Sequence, residues 1–221
     1  MSDKNKIVLV FGDVHAPFIN PKFFGDLKRL IAFYHPSHIV NTGDFVDSHS
    51  ISRSHRPEAE AKSPLQEWQD ARDCVGRLVE IMGNIPVSMV EGNHDIRITR
   101  QAADVKIPQQ FLKPYKEMYN IPEHWKVADR IVHNDVLYCH GISPITHKAT
   151  LAFNKNVIQG HYHAMLGINY ITTPVKKMFS GYTGGCCNDK AIAMRYAKDN
   201  LNKSAYGVIV IINKIPQVVP L

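Results

Sequence analysis

A chain of 221 residues, 44% hydrophobic and 21% charged, is long enough for one domain with a sizeable core and too apolar for disorder. Its polar start, Met1 to Lys6, and the brief apolar run after it do not read as a secretory leader. Nothing approaches the roughly 20 apolar residues of a membrane span, so a soluble, cytoplasmic protein without membrane contact is expected. The net charge of +6 is uneven: from Gly141 onward nine Lys or Arg stand against two acids. That balance fits an anionic partner such as nucleic acid, or simply a solvated surface, because the lysines form no dense run. Four cysteines, Cys74, Cys139, Cys186 and Cys187, show no CxxC pair and are read as thiols of a reducing compartment.

Lys6–Gly12 is a short apolar, β-branched run that predicts a buried strand, and Pro21–Tyr34 a helix with Phe24, Leu27, Leu30, Ile31 and Tyr34 at helical spacing. His38–Asn41 is a second strand. The polar stretch from Ser48 to Lys62 reads as a loop over the site. Ser63 then caps a helix with Pro64 at its first position and Gln66 closing a capping box. Its apolar stripe is Leu65, Trp68, Ala71, Val75, Leu78, Val79 and Met82, and Gly83 ends it. Pro86–Val90 is a third strand. Alternation of strand and helix to this point predicts a parallel sheet, whose ligands lie beyond the carboxyl ends of its strands.

Residues 96–127 are irregular, with Pro108, Pro114 and Pro122, and read as a helical insertion or cap within one domain spanning 1–221. Arg130–His133 and Val136–His140, joined by Asn134-Asp135, predict a hairpin. Short strands are expected at Val157–Gln159, Leu166–Tyr170, Met178–Tyr182 and Ala205–Ile212, with helices at Thr146–Phe153 and Asn188–Lys198. The whole is an α/β fold of two stacked mixed sheets with helices outside.

Five fragments carry the chemistry: Gly12-Asp13-Val14-His15, Gly43-Asp44, Gly92-Asn93-His94-Asp95, His140-Gly141 and Gly160-His161-Tyr162-His163. Each follows a strand. Two close divalent cations need a bridging carboxylate and enough oxygen and imidazole donors, and Asp13, His15, Asp44, Asn93, His140, His161 and His163 form such a set. These donors suit Mn, Fe or Zn rather than Ca. Asp13 and His15 stand two apart, as do His161 and His163, so each pair can point to one side of an extended strand end. Gly160 is read as permitting a sharp turn. His35, His38, His124, His133 and His147 match no fragment and are left as structural or surface residues.

The ordered pattern D-x-H, G-D, G-N-H-D, H and G-H-x-H resembles the calcineurin-like metallophosphoesterase superfamily, over positions 12 to 163. The resemblance implies a four-layer α/β/β/α sandwich and two divalent metal ions, manganese first, with iron or zinc as alternatives. One metal would take Asp13, His15, Asp44 and His163; the other Asp44, Asn93, His140 and His161, with Asp44 bridging. It also implies a water or hydroxide between the metals as nucleophile, and His94 as the acid that protonates the leaving oxygen. Gly43-Asp44-Phe45-Val46-Asp47 matches the family form G-D-x-x-D, so Asp47 is expected to orient His94, with Asp95 as the alternative.

Phosphoprotein phosphatases of the superfamily read G-D-x-V-D-R-G and bind phosphate through that Arg, whereas here Ser48-His49 follows Asp47. Arg97, or else Arg53 or Arg56, is therefore expected to contact the substrate, while His49 and His55 read as exposed loop histidines. The expected reaction is hydrolysis of a phosphomonoester or phosphodiester, with a nucleotide or nucleic acid ahead of a phosphoprotein. A non-catalytic protein-binding scaffold on the same fold is the alternative outside enzymes.

Overall fold

The computed structural model of the protein describes residues 6–52, 62–145, 147–186 and 204–221. Strands are β1 (Ile7–Phe11), β2 (His38–Asn41), β3 (Val87–Val90), β4 (Lys126–Ala128), β5 (Ile131–His133), β6 (Val136–His140), β7 (Asn156–Gly160), β8 (Leu166–Thr172), β9 (Lys177–Thr183), β10 (Gly207–Ile212) and β11 (Ile215–Pro220). Helices are α1 (Lys22–Tyr34), α2 (Pro64–Met82), α3 (Arg97–Asp104), α4 (Tyr115–Tyr119) and α5 (Lys148–Phe153).

Side-chain alternation along β1 divides the interior. Leu9 and Phe11 face α1 and α2, where Phe23, Leu27, Val75 and Leu78 cover them. Val8 and Val10 face the other way and pack with Val40, Val90, Ile209 and Ile211 against Tyr138, Ile158 and Phe179 of a second sheet. Each such fully buried side chain stabilises the fold by roughly 1.5–3 kcal/mol. On the far side Leu137, Cys139 and Val157 pack on Ala149 of α5. The layers are thus helix, sheet, sheet, helix, as the sequence pattern predicts.

The first sheet runs β11-β10-β1-β2-β3-β4 and the second β5-β6-β7-β9-β8. Strands β1 to β4 pair in parallel and β10 joins β1 antiparallel. In the second sheet β6, β7 and β9 are parallel, flanked by antiparallel β5 and β8. Both sheets are therefore mixed.

Two strands escaped the sequence reading. β4 is three residues long and closes one edge after the helical segment α3–α4. β11 contains Pro216 and Pro220, which argue against a central strand but are tolerated on the edge it occupies. Tyr119, Ile121 and Trp125 of the 96–127 segment are buried in the helix-side core. The expected helix at Asn188–Lys198 lies outside the described residues.

Helix α2 corrects two details. Leu65 is 62% exposed, and the buried face is Glu67, Ala71, Val75, Leu78 and Met82. Ser63 Oγ accepts from the Gln66 amide at 3.2 Å, but the Gln66 side chain donates to Asp70 instead of closing the box.

Where the two sheets meet beside β2, the rings of His38 and His133 stack at 4.1 Å, and His38 Nε2 lies 2.9 Å from Ser88 Oγ. Burial, then the neighbouring His133, lowers the His38 pKa to about 4. A neutral ring is thus preferred in the folded state, so the unfolded chain takes up the proton first. The resulting stability is complete above about pH 6.5 and is lost as pH falls toward about 4. With half of the ring screened by solvent, about 1 kcal/mol is expected. Urea midpoints measured from pH 7.5 down should fall more steeply for the wild type than for His38→Gln; equal slopes would refute this.

Candidate metal centre

All seven candidate ligands stand at the carboxyl ends of parallel strands. Asp13 follows β1, Asp44 follows β2, Asn93 follows β3, His140 ends β6 and His161 follows β7. The loops are tied laterally: the Asp13 amide donates to Gly43 O at 3.0 Å and the His15 amide to Asp44 O at 2.9 Å.

The side chains converge by a route other than strand alternation. Asp13, His15, Asp44 and His161 all have left-handed backbone, with φ of 52°, 51°, 50° and 75°. Non-glycine residues seldom adopt it, and such strain gathers at functional loops. Gly160 likewise serves close approach, since a Cβ there would lie 2.8 Å from Asp13 Oδ2 and 2.9 Å from Thr42 O. Gly92 is tighter still, with a Cβ falling 2.2 Å from the Asp44 amide nitrogen. Gly92→Ala must displace Asp44, and we expect at least a hundredfold weaker manganese uptake by calorimetry; wild-type affinity would show that the backbone can yield.

Three sets of donors lie close enough to grip a cation: Asp13, His15 and His163; His15, Asp44 and His94; and Asp44, His140 and His161. Asn93 joins the last set, its Oδ1 lying 3.1 Å from His140 Nε2 and 3.0 Å from His161 Nδ1. Asp44 Oδ2 is 3.1 Å from His140 Nε2 and 3.7 Å from His15 Nε2, so this carboxylate touches both ends of the cluster.

Proton accounting tests whether the cluster fits cations. His140 Nδ1 faces the Thr42 carbonyl at 2.9 Å, which only accepts, so that nitrogen carries the ring proton. His15 Nδ1 donates likewise to Asp47 Oδ1 at 3.1 Å. In the neutral rings both Nε2 atoms are then lone pairs. They point at Asp44, at Asn93 and, for His15, at His163 Nε2 at 3.1 Å. Acceptors facing acceptors need a cation between them. In the metal-free protein a proton serves: burial disfavours the charged His140, but its hydrogen bond to Asp44 prevails and lifts the pKa to about 9. Outward ring donors with inward lone pairs are the arrangement of metal-binding histidines. The donors fit divalent metal.

A family model described as calcineurin-like phosphoesterase matches residues 7–182. The chain belongs to that family. Calcineurin-like phosphoesterases are metal-dependent, in keeping with the His and Asp groups that can hold metal here. Among solved structures, the chain is similar to nuclease MPE of Pseudomonas putida, at 18% identity, TM-score 0.43, and 97% and 87% coverage of the two chains. Vacuolar Protein Sorting 29 of Cryptosporidium parvum gives 13%, 0.46, 98% and 97%, and the phosphoesterase Yfce of E. coli 12%, 0.42, 97% and 92%. These likenesses are distant. No curated protein matches the chain.

Beside the cluster, His94 Nδ1 is bound to Asp47 Oδ1, and its amide donates to Asp44 Oδ1 at 2.8 Å. Burial opposes charge on His94, yet the Asp47 hydrogen bond and the fields of Asp44 and Asp47 outweigh it and Arg97, raising its pKa. Asp47 Oδ1 thus meets both His94 and His15, and these contacts overcome burial to hold its carboxyl well below the usual range. Asp95 does other work. Its oxygens accept from the Phe45, Val46 and Gly92 amides and the Tyr115 hydroxyl, clamping the loop that bears Asp44.

Arg97 lies against His94, with Nη2 3.1 Å from His94 Nε2 and Nη1 donating to the carbonyls of Asp47 and Ser48. Arg53, Arg56 and His55 lie outside the described residues. His49, expected on the surface, is buried, and its ring meets Phe18 edge-on. Its amide and that of Ser50 donate to the buried carboxylate of Glu67, which pins the loop after Asp47 to α2. Glu67 was missed, although it shares the helical phase of Ala71, Val75, Leu78 and Met82, an acid on the buried stripe.

Proposed function

We propose that this chain is a metal-dependent hydrolase of phosphate esters that uses two divalent cations, manganese first, with a nucleotide or nucleic acid as substrate. One observation carries the reading: the ring protons of His15 and His140 point outward, and their lone pairs meet the oxygens of Asp44 and Asn93. Asp13, His15, Asp44 and His163 would hold one cation, and Asp44, Asn93, His140 and His161 the other. Bound there, the cations would acidify water and neutralise charge on phosphoryl oxygens.

The chain's own part is proton delivery and positioning. Asp47 fixes the Nδ1–H of His94, so Nε2 is the atom that gives a proton to the leaving oxygen. Once Nε2 is protonated, Arg97 Nη2 faces a donor and would be released toward the scissile phosphate. The basic charge and the absence of an Arg directly after Asp47 favour a nucleotide or nucleic acid over a phosphoprotein. Free thiols at Cys74 and Cys139 fit a cytoplasmic setting. Among the described residues no helix is long and apolar enough to cross a membrane.

Manganese-loaded protein is to be offered p-nitrophenyl phosphate, its bis-ester, an oligonucleotide and a phosphopeptide. Hydrolysis of the bis-ester and oligonucleotide is expected; no turnover of any ester would defeat the proposal. Because Asp47 supports His15 as well as His94, Asp47→Asn should lower both metal affinity and turnover by about 10–100-fold. Unchanged metal affinity would restrict Asp47 to His94.

A further inference from the structure

One cavity, of about 680 Å³, opens onto the metal cluster from the side of Asn93, His140 and His161. Its lining also includes two arginines, Arg100 on α3 and Arg130 just before β5. Neither guanidinium has a carboxylate within 4.0 Å among the described residues. Arg130 is steadied by the face of Phe153, with its guanidinium carbon 5.3 Å from the ring centre. The volume falls in the range of about 300–1,000 Å³ that ligand sites occupy.

We propose that Arg100 and Arg130 hold a second, non-scissile phosphate of the substrate while the scissile phosphate sits at the metal cluster. This rests on the phosphate-ester reading above and narrows it to substrates with neighbouring phosphates. Guanidiniums that face no carboxylate among the described residues match phosphate oxygens in geometry and charge. Glu91 and Asp129 line the same cavity. They would repel a bare anion, whereas a sugar–phosphate unit brings hydroxyl donors for the carboxylates along with phosphate oxygens for the arginines. The shared chemistry is that of an oligonucleotide or a nucleoside triphosphate, and the experiment separates the two.

The test compares wild type, Arg100→Gln/Arg130→Gln, and a control, Lys22→Gln/Lys28→Gln, that removes the same charge from α1. With manganese, kcat/KM is measured for a short single-stranded oligonucleotide, a nucleoside triphosphate and bis-p-nitrophenyl phosphate. In the arginine variant the ratio of the oligonucleotide value to the bis-ester value should fall at least tenfold, and in the control it should not. If only the triphosphate ratio falls, the second phosphate belongs to a polyphosphate. Oligonucleotide binding to metal-free protein in EDTA gives an independent reading: the slope of log K against log salt should shrink by about 0.7, one single-strand phosphate contact. Unchanged ratios and slope, or an equal loss in the control, would overturn the proposal. A wild type that turns over no ester defeats the hydrolase reading instead, and the salt slope still judges the arginines.

Discussion

Asp44→Asn is expected to cost the protein its metal. The asparagine keeps the shape of the carboxylate and can still accept the His94 amide, now made to Oδ1 at 2.8 Å. What changes is the oxygen 3.1 Å from His140 Nε2 and 3.7 Å from His15 Nε2. An amide N–H there donates to those lone pairs and fills by hydrogen bonding the place a cation would take. The metal-free variant should therefore fold, with a thermal transition as cooperative as the wild type's. Manganese affinity should fall well beyond the roughly 10–100-fold typical of losing a supporting partner, and ester hydrolysis should fall with it. Equilibrium dialysis with elemental analysis checks this. Two equivalents retained at wild-type affinity would remove Asp44 from the proposed bridging position.

Asp44 also shows why the site was legible before the fold. The sequence places Asp44, Asn93, His140 and His161 each at the close of a short apolar run, and parallel strands bring such ends together. Which residues meet could thus be read from order and spacing. How they meet could not. Left-handed backbone at Asp13, His15 and Asp44 carries only a weak composition signal, since Asp and His adopt it more often than most residues and still do so rarely. The same limit hid β11, whose prolines speak against a strand until its edge position is known. It hid β4 as well, because three residues are too few for any periodicity. The contacts of Asp47 needed coordinates for another reason. Spacing marked it as a partner of His94, but its simultaneous bond to His15 depends on the fold of the 12–16 loop.

His94→Asn should leave the metals and remove the acid. The ring stands with Nδ1 on Asp47 and Nε2 3.9 Å from Asp44 Oδ2, outside the Asp13 and Asn93 pairings of the cluster. Loss of a positioned proton donor lowers rates by about 10²–10⁴, or roughly 3–5 kcal/mol of barrier. That loss should depend on the leaving group. An alkoxide, such as the sugar oxygen of an oligonucleotide, needs the proton and should suffer the full effect. p-Nitrophenolate departs as a stable anion and should lose much less. A merely structural defect would slow both esters alike, so the ratio between them isolates the proton. His94 also lies within gripping distance of His15 and Asp44, which opens a second outcome. If His94→Asn sheds one equivalent of manganese and slows both esters equally, His94 is a ligand and the acid must be sought elsewhere.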